Sequence, residues 1–82
     1  MTKDELHKKI VAVFAKTFDL PEENITEDIA YNSYEKWDSL GHLELVSDLE
    51  EAFGISFSMD DVQKMNSVAK CEEIVALYLE HV

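Results

Sequence analysis

Arginine is missing from this chain of 82 residues, and seven lysines stand against 18 acids. Phosphate backbones need cationic partners, so the deficit argues against nucleic-acid binding. It disfavours anionic membrane surfaces for the same reason. Cysteine occurs once, at Cys71, which excludes an internal disulfide and agrees with a reducing compartment. No apolar run approaches membrane-spanning length. The start, Met1-Thr2-Lys3-Asp4-Glu5, lacks the basic-then-apolar layout of a secretory signal, so the cytoplasm is the expected compartment. The histidines, His7, His42 and His81, stand at no recognised zinc spacing from a cysteine or an acid. Glu22-Glu23 and Asp60-Asp61 lack the glycine and the ligand spacing of a calcium loop. No metal site is expected.

What remains is a small acidic chain with enough apolar residues, 46%, to build one core. A single domain over residues 1–82 is expected. The net charge of −11 is unevenly spread: the part up to Phe18 carries +2, and the part from Asp19 onward carries −13. A basic protein patch is the partner such a distribution attracts, chiefly by speeding encounter. Acids far from any site read as solvated surface.

Periodicity predicts an all-α fold, a small four-helix bundle of three long helices and one short one with a long first connection. Thr2 and Glu5 form a capping box for the first helix, which carries Leu6, Ile10, Val13, Phe14 and Phe18 and stops near Asp19 ahead of Pro21. The loop from about Leu20 to Trp37 is long and should be pinned by Ile25, Ile29, Tyr31, Tyr34 and Trp37. A second helix runs from Asp38 to about Phe53, with Leu40, Leu43, Val46, Leu49 and Phe53 expected on its apolar face and Gly54 as its stop. Ser58 with Asp61 marks a short third helix ending near Met65, and Asn66-Ser67 caps a last helix bearing Val68, Cys71, Val75, Tyr78 or Leu79, and Val82. Cys71, Met59 and Met65 read as core.

Trp37-Asp38-Ser39-Leu40 carries the chemistry. Asp38 is a natural N-cap, which sets Ser39 at the first helical position with its hydroxyl toward solvent. A phosphate attached there would sit at the positive end of a helix. From Asp38 to Phe53 there are five acids and no lysine. His42 follows Ser39 by three residues, yet side chains on one exposed helix build no water-excluding pocket, so no catalytic residue is expected. His42 reads as a surface residue, and Trp37 as packing.

Asp38-Ser39-Leu40, then Leu43-Glu44-Leu45-Val46 and Leu49-Glu50-Glu51-Ala52-Phe53-Gly54, resembles the prosthetic-group region of acyl carrier proteins. The resemblance implies a non-enzymatic carrier; a monomer is expected. Its Ser39 would receive 4′-phosphopantetheine from coenzyme A through a phosphopantetheinyl transferase, with Asp38 linked to the metal used in that transfer. The arm's thiol, not Cys71, would hold acyl groups as thioesters. Acyl-loading and acyl-processing enzymes with basic patches would meet Asp38, Leu40, Glu44, Glu50 and Glu51, with Glu44 foremost. Leu43, Val46, Ile55, Phe57, Met65 and Val68 would line any space for an acyl chain. Fatty acid, polyketide or related lipid synthesis is the implied setting.

Lys36, Gly41, His42, Ser47 and Asp48 depart from the pattern of many fatty-acid carriers, and the Trp37–His42 string looks more like free-standing carriers of specialised pathways. Gly41 also costs the helix about 1 kcal/mol relative to alanine. An aminoacyl or peptidyl carrier, or an unmodified acidic helical interaction module, are the alternatives.

Overall fold

The computed structural model describes residues 2–32 and 36–80. Among the described residues four α-helices make a small bundle: α1 (Lys3–Phe18), α2 (Ser39–Phe53), the short α3 (Met59–Lys64) and α4 (Val68–Glu80). A 3-10 turn at Glu22–Asn24, which periodicity does not reveal, interrupts the first connection. No strand occurs among the described residues, only an isolated antiparallel bridge between Ala30 and Ser67.

The helix ends follow local chemistry. Thr2 Oγ1 accepts from the Glu5 amide at 3.2 Å and donates to the Glu5 carboxylate at 3.0 Å, closing the cap through side chains. Asp19 ends α1 in the left-handed region at φ 55, two residues before Pro21. Gly54 ends α2 in the same region at φ 66, where its missing Cβ removes the strain. Ser58 caps α3 through the Asp61 amide, and Ser67 Oγ accepts from the Lys70 amide at the start of α4.

Helix α1 packs against both α2 and α4. Ile10, Phe14, Trp37, Leu45, Leu49, Met65, Val68, Cys71 and Val75 lose all contact with solvent in the core between them. Burying each large apolar side chain contributes about 1.5–3 kcal/mol. Tyr78 and Leu79 are both half-buried, and Ile74 joins the buried face of α4. Tyr34 and Val82, expected to pack, lie outside the described residues.

The apolar face of α2 differs from the expected one. Leu40 and Leu43 are 67% and 62% exposed, whereas Gly41, Leu45, Val46 and Leu49 are buried. Each three-residue step falls about 60° short of a full circle, so the series Leu40, Leu43, Val46, Leu49 winds to the opposite side of the helix. The four-residue steps Gly41–Leu45–Leu49 hold one direction and meet α1. Met59 is also a correction: it opens α3 with 75% of its surface exposed, because so short a helix presents little buried face.

The first connection is tied to the α3–α4 junction by backbone bonds. The Tyr31 amide donates to the Asn66 carbonyl at 2.8 Å, and the Val68 amide donates to that of Ile29 at 3.0 Å. Ile25 is buried, and Ile29 and Tyr31 pack on the core. These contacts bring Tyr31 back over the start of α2.

Candidate functional site

Asp38 closes the start of α2. Its carboxylate accepts from the Gly41 amide at 2.8 Å, and its carbonyl accepts from the His42 amide at 2.8 Å. The chain reaches this cap through a turn that crosses directly over Gly41. A Cβ added at Gly41 would lie 2.0 Å from the Lys36 carbonyl oxygen and 3.3 Å from a ring carbon of Phe18. The helix weakness expected of Gly41 is therefore the condition for the close approach of residue 36.

Ser39 follows at the first helical position and is exposed. Its Oγ lies 3.0 Å from the Tyr31 hydroxyl. Beside it runs a groove of about 350 Å³ lined by Tyr31, Leu43, Gln63, Met65 and Asn66 along with Ser39 and His42. Leu43 and Met65, both expected to line an acyl-chain space, share this groove with the serine. Ile55 instead lines a second groove of about 560 Å³ near Tyr78. Phe57 stacks edge-on against Tyr78 at 5.0 Å, and Val68 is fully enclosed by the core. Val46 is buried on α2 and borders none of these grooves.

His42 is not the surface residue that its position suggested. Trp37 Nε1 donates to its Nδ1 at 2.9 Å, and its Nε2 lies 2.8 Å from the Val62 carbonyl. Indole N–H is only a donor, so Nδ1 must be the acceptor and Nε2 carries the proton given to Val62. The imidazole also stacks on the Trp37 ring. It thereby braces the cap of α2 against α3, and no bond between His42 and Ser39 is formed. Neither Tyr31 nor His42 carries a sequence signal for these roles, because both depend on how the first connection folds back.

The acids of α2 divide into two groups. Glu44 and Glu51 are exposed. Asp48 accepts from the Thr17 hydroxyl at 2.6 Å, and Glu50 accepts from the Phe57 amide at 2.9 Å. The latter two hold the fold together, which an acidic stripe in a sequence does not reveal. On α3, hydrogen bonds from Tyr78 and then Ser58 hold the Asp61 carboxyl below its ordinary value. Cys71 is enclosed, and burial pushes its thiol up to about 12, with the nearby Glu72 adding to the effect.

A family model described as a phosphopantetheine attachment site matches residues 8–75. The chain belongs to the acyl carrier protein family. This family member is 32% identical over 75 residues to an acyl carrier protein of Lactobacillus johnsonii, covering 92% of this chain and 94% of that one. It is 31% identical over 81 residues to an acyl carrier protein of Rubrobacter xylanophilus, covering 99% and 96%. The solution structure of a holo acyl carrier protein from Geobacter metallireducens superposes with a TM-score of 0.81 at 27% identity, covering 92% of this chain and 86% of that chain. The family's group is covalently bound 4′-phosphopantetheine, and its members are carriers rather than enzymes. No helix among the described residues is long and apolar enough to cross a membrane.

Proposed function

We propose that Ser39 is the attachment point of the 4′-phosphopantetheine arm and that this protein delivers acyl groups to biosynthetic enzymes in the cytoplasm. The observation that carries the reading is the exposed Ser39 hydroxyl, set at the amino end of α2 beside an apolar groove. The residues present fit the group. A phosphodiester there would meet the positive end of a helix of 15 residues. The groove walls, Leu43 and Met65, offer apolar surface to whatever the arm presents. When bound, the arm supplies a thiol that holds the acyl group as a thioester.

The chain's own residues orient and exclude. Asp38 holds the first turn of α2, so Ser39 stands clear of the core for a phosphopantetheinyl transferase that uses coenzyme A as donor. Cys71, buried and held protonated, offers no competing nucleophile. Partner enzymes with basic patches would meet Asp38, Leu40, Glu44 and Glu51, all exposed around and beyond the serine. Glu50 contributes charge to that face while its carboxylate is engaged with Phe57. The protein itself does no chemistry.

Intact mass after incubation with coenzyme A, magnesium and a broad-specificity phosphopantetheinyl transferase tests the assignment. Wild type should gain one phosphopantetheine and Ser39→Ala none, with unchanged helical content in both. A gain that survives Ser39→Ala would move the attachment elsewhere.

A further inference from the structure

We propose that His7, Glu27 and Glu72 form a binding site for a divalent cation of the zinc class, clamping α1, the first connection and α4 together. The three residues are far apart in sequence and converge only in the fold. His7 lies on the first helix, and its Nδ1 contacts a carboxylate oxygen of Glu72 on α4. Glu27 is brought alongside because its carbonyl accepts from the Ala69 amide at 3.3 Å, at the start of the same helix. One ligand atom from each of the three lies within 4.8 Å of the other two.

The donor set selects the metal. One imidazole nitrogen with two carboxylate oxygens suits zinc, whereas calcium takes a larger shell of oxygens alone. Around a tetrahedral zinc the ligand atoms stand about 3.4 Å apart, so the His7–Glu72 contact would open to admit the ion while the more widely spaced atoms draw in by about 1 Å. Glu27 is exposed and both partners are only partly buried, so their side-chain ends have room to make that shift. Glu27 and Glu72 also border a cleft of about 680 Å³, so the cluster lies open to solvent. The site shares no residue with the groove beside Ser39. Its role is a structural clip: a ligand that binds only the folded form stabilises it by mass action.

Calorimetric titration of the full chain with zinc chloride, paired with thermal unfolding, tests this. Wild type should bind one zinc per chain and melt at a higher temperature with zinc than without it. His7→Ala should lose both effects. Glu27→Gln leaves the His7–Glu72 contact in place and guards against a folding defect. It should weaken zinc binding by at least about tenfold, the scale seen when even outer-shell groups of a metal site are lost. Calcium chloride should give no comparable rise in melting temperature. The proposal is overturned by the absence of binding at a ratio of one, by binding that both substitutions leave intact, or by calcium matching zinc.

Discussion

The Trp37 indole N–H donates to His42 Nδ1 at 2.9 Å, so a fully buried tryptophan has its single polar side-chain atom satisfied by a residue of the next helix. The same imidazole reaches Val62 on α3. His42→Ala removes both bonds and leaves the indole donor enclosed. An unpaired buried donor costs about 1–3 kcal/mol. Urea unfolding followed by Trp37 fluorescence should show stability lowered by about 2 kcal/mol. A midpoint equal to that of wild type would mean that the brace contributes nothing.

Gly41→Ala sets helix propensity against packing. Alanine is better by about 1 kcal/mol in a helix interior. Here its methyl would meet the Lys36 carbonyl oxygen at 2.0 Å, and backbone cannot yield as a flexible side-chain end can. Overpacking of this kind costs about 1–3 kcal/mol. Thermal unfolding should therefore show a net loss, together with slower arm transfer, because the displaced turn leads directly into Asp38 and Ser39. A raised melting temperature would show that residue 36 moves away freely.

Glu44 and Glu50 sit on one acidic helix and should answer differently to substitution. Glu44 is exposed, so Glu44→Lys should leave stability within about 0.5 kcal/mol of wild type. It should slow arm transfer at low salt, because it reverses a charge that attracts a basic partner. Glu50→Ala deprives the Phe57 amide of its acceptor and should cost about 1 kcal/mol or more. Paired urea titrations and transfer rates separate the two. Equal stability loss in both variants would refute the division.

These contrasts mark what the sequence holds and what it does not. Caps were legible because Thr2, Asp38, Ser58 and Gly54 act on amides or carbonyls within a few residues. The buried face of α1 was legible because it repeats over several turns. Leu40 and Leu43 lie off the buried face that their spacing predicts, because three-residue spacing drifts around the helix. Ser39 and Asp38 were marked by the motif they form. Tyr31, which approaches the serine hydroxyl, was legible only as an apolar anchor of its loop. Its place, like the meeting of His7 with Glu72, depends on chain segments that only the tertiary fold brings together.

Cys71 links the core to pH. Its thiol is pushed from an ordinary 9.0 up to about 12, chiefly by burial. The folded chain thus keeps a proton that the unfolded chain releases once the pH passes 9.0. The contribution to stability is complete below that value and is lost as pH rises toward about 12. Cys71→Ala should be less stable at neutral pH, because it leaves a cavity. Its stability should nevertheless fall less steeply with alkaline pH than that of wild type. Native Cys71 should also resist thiol reagents at pH 8 and react on unfolding in urea. Rapid labelling of the folded protein would show that the thiol is accessible, and would reopen it as a competitor for acyl groups.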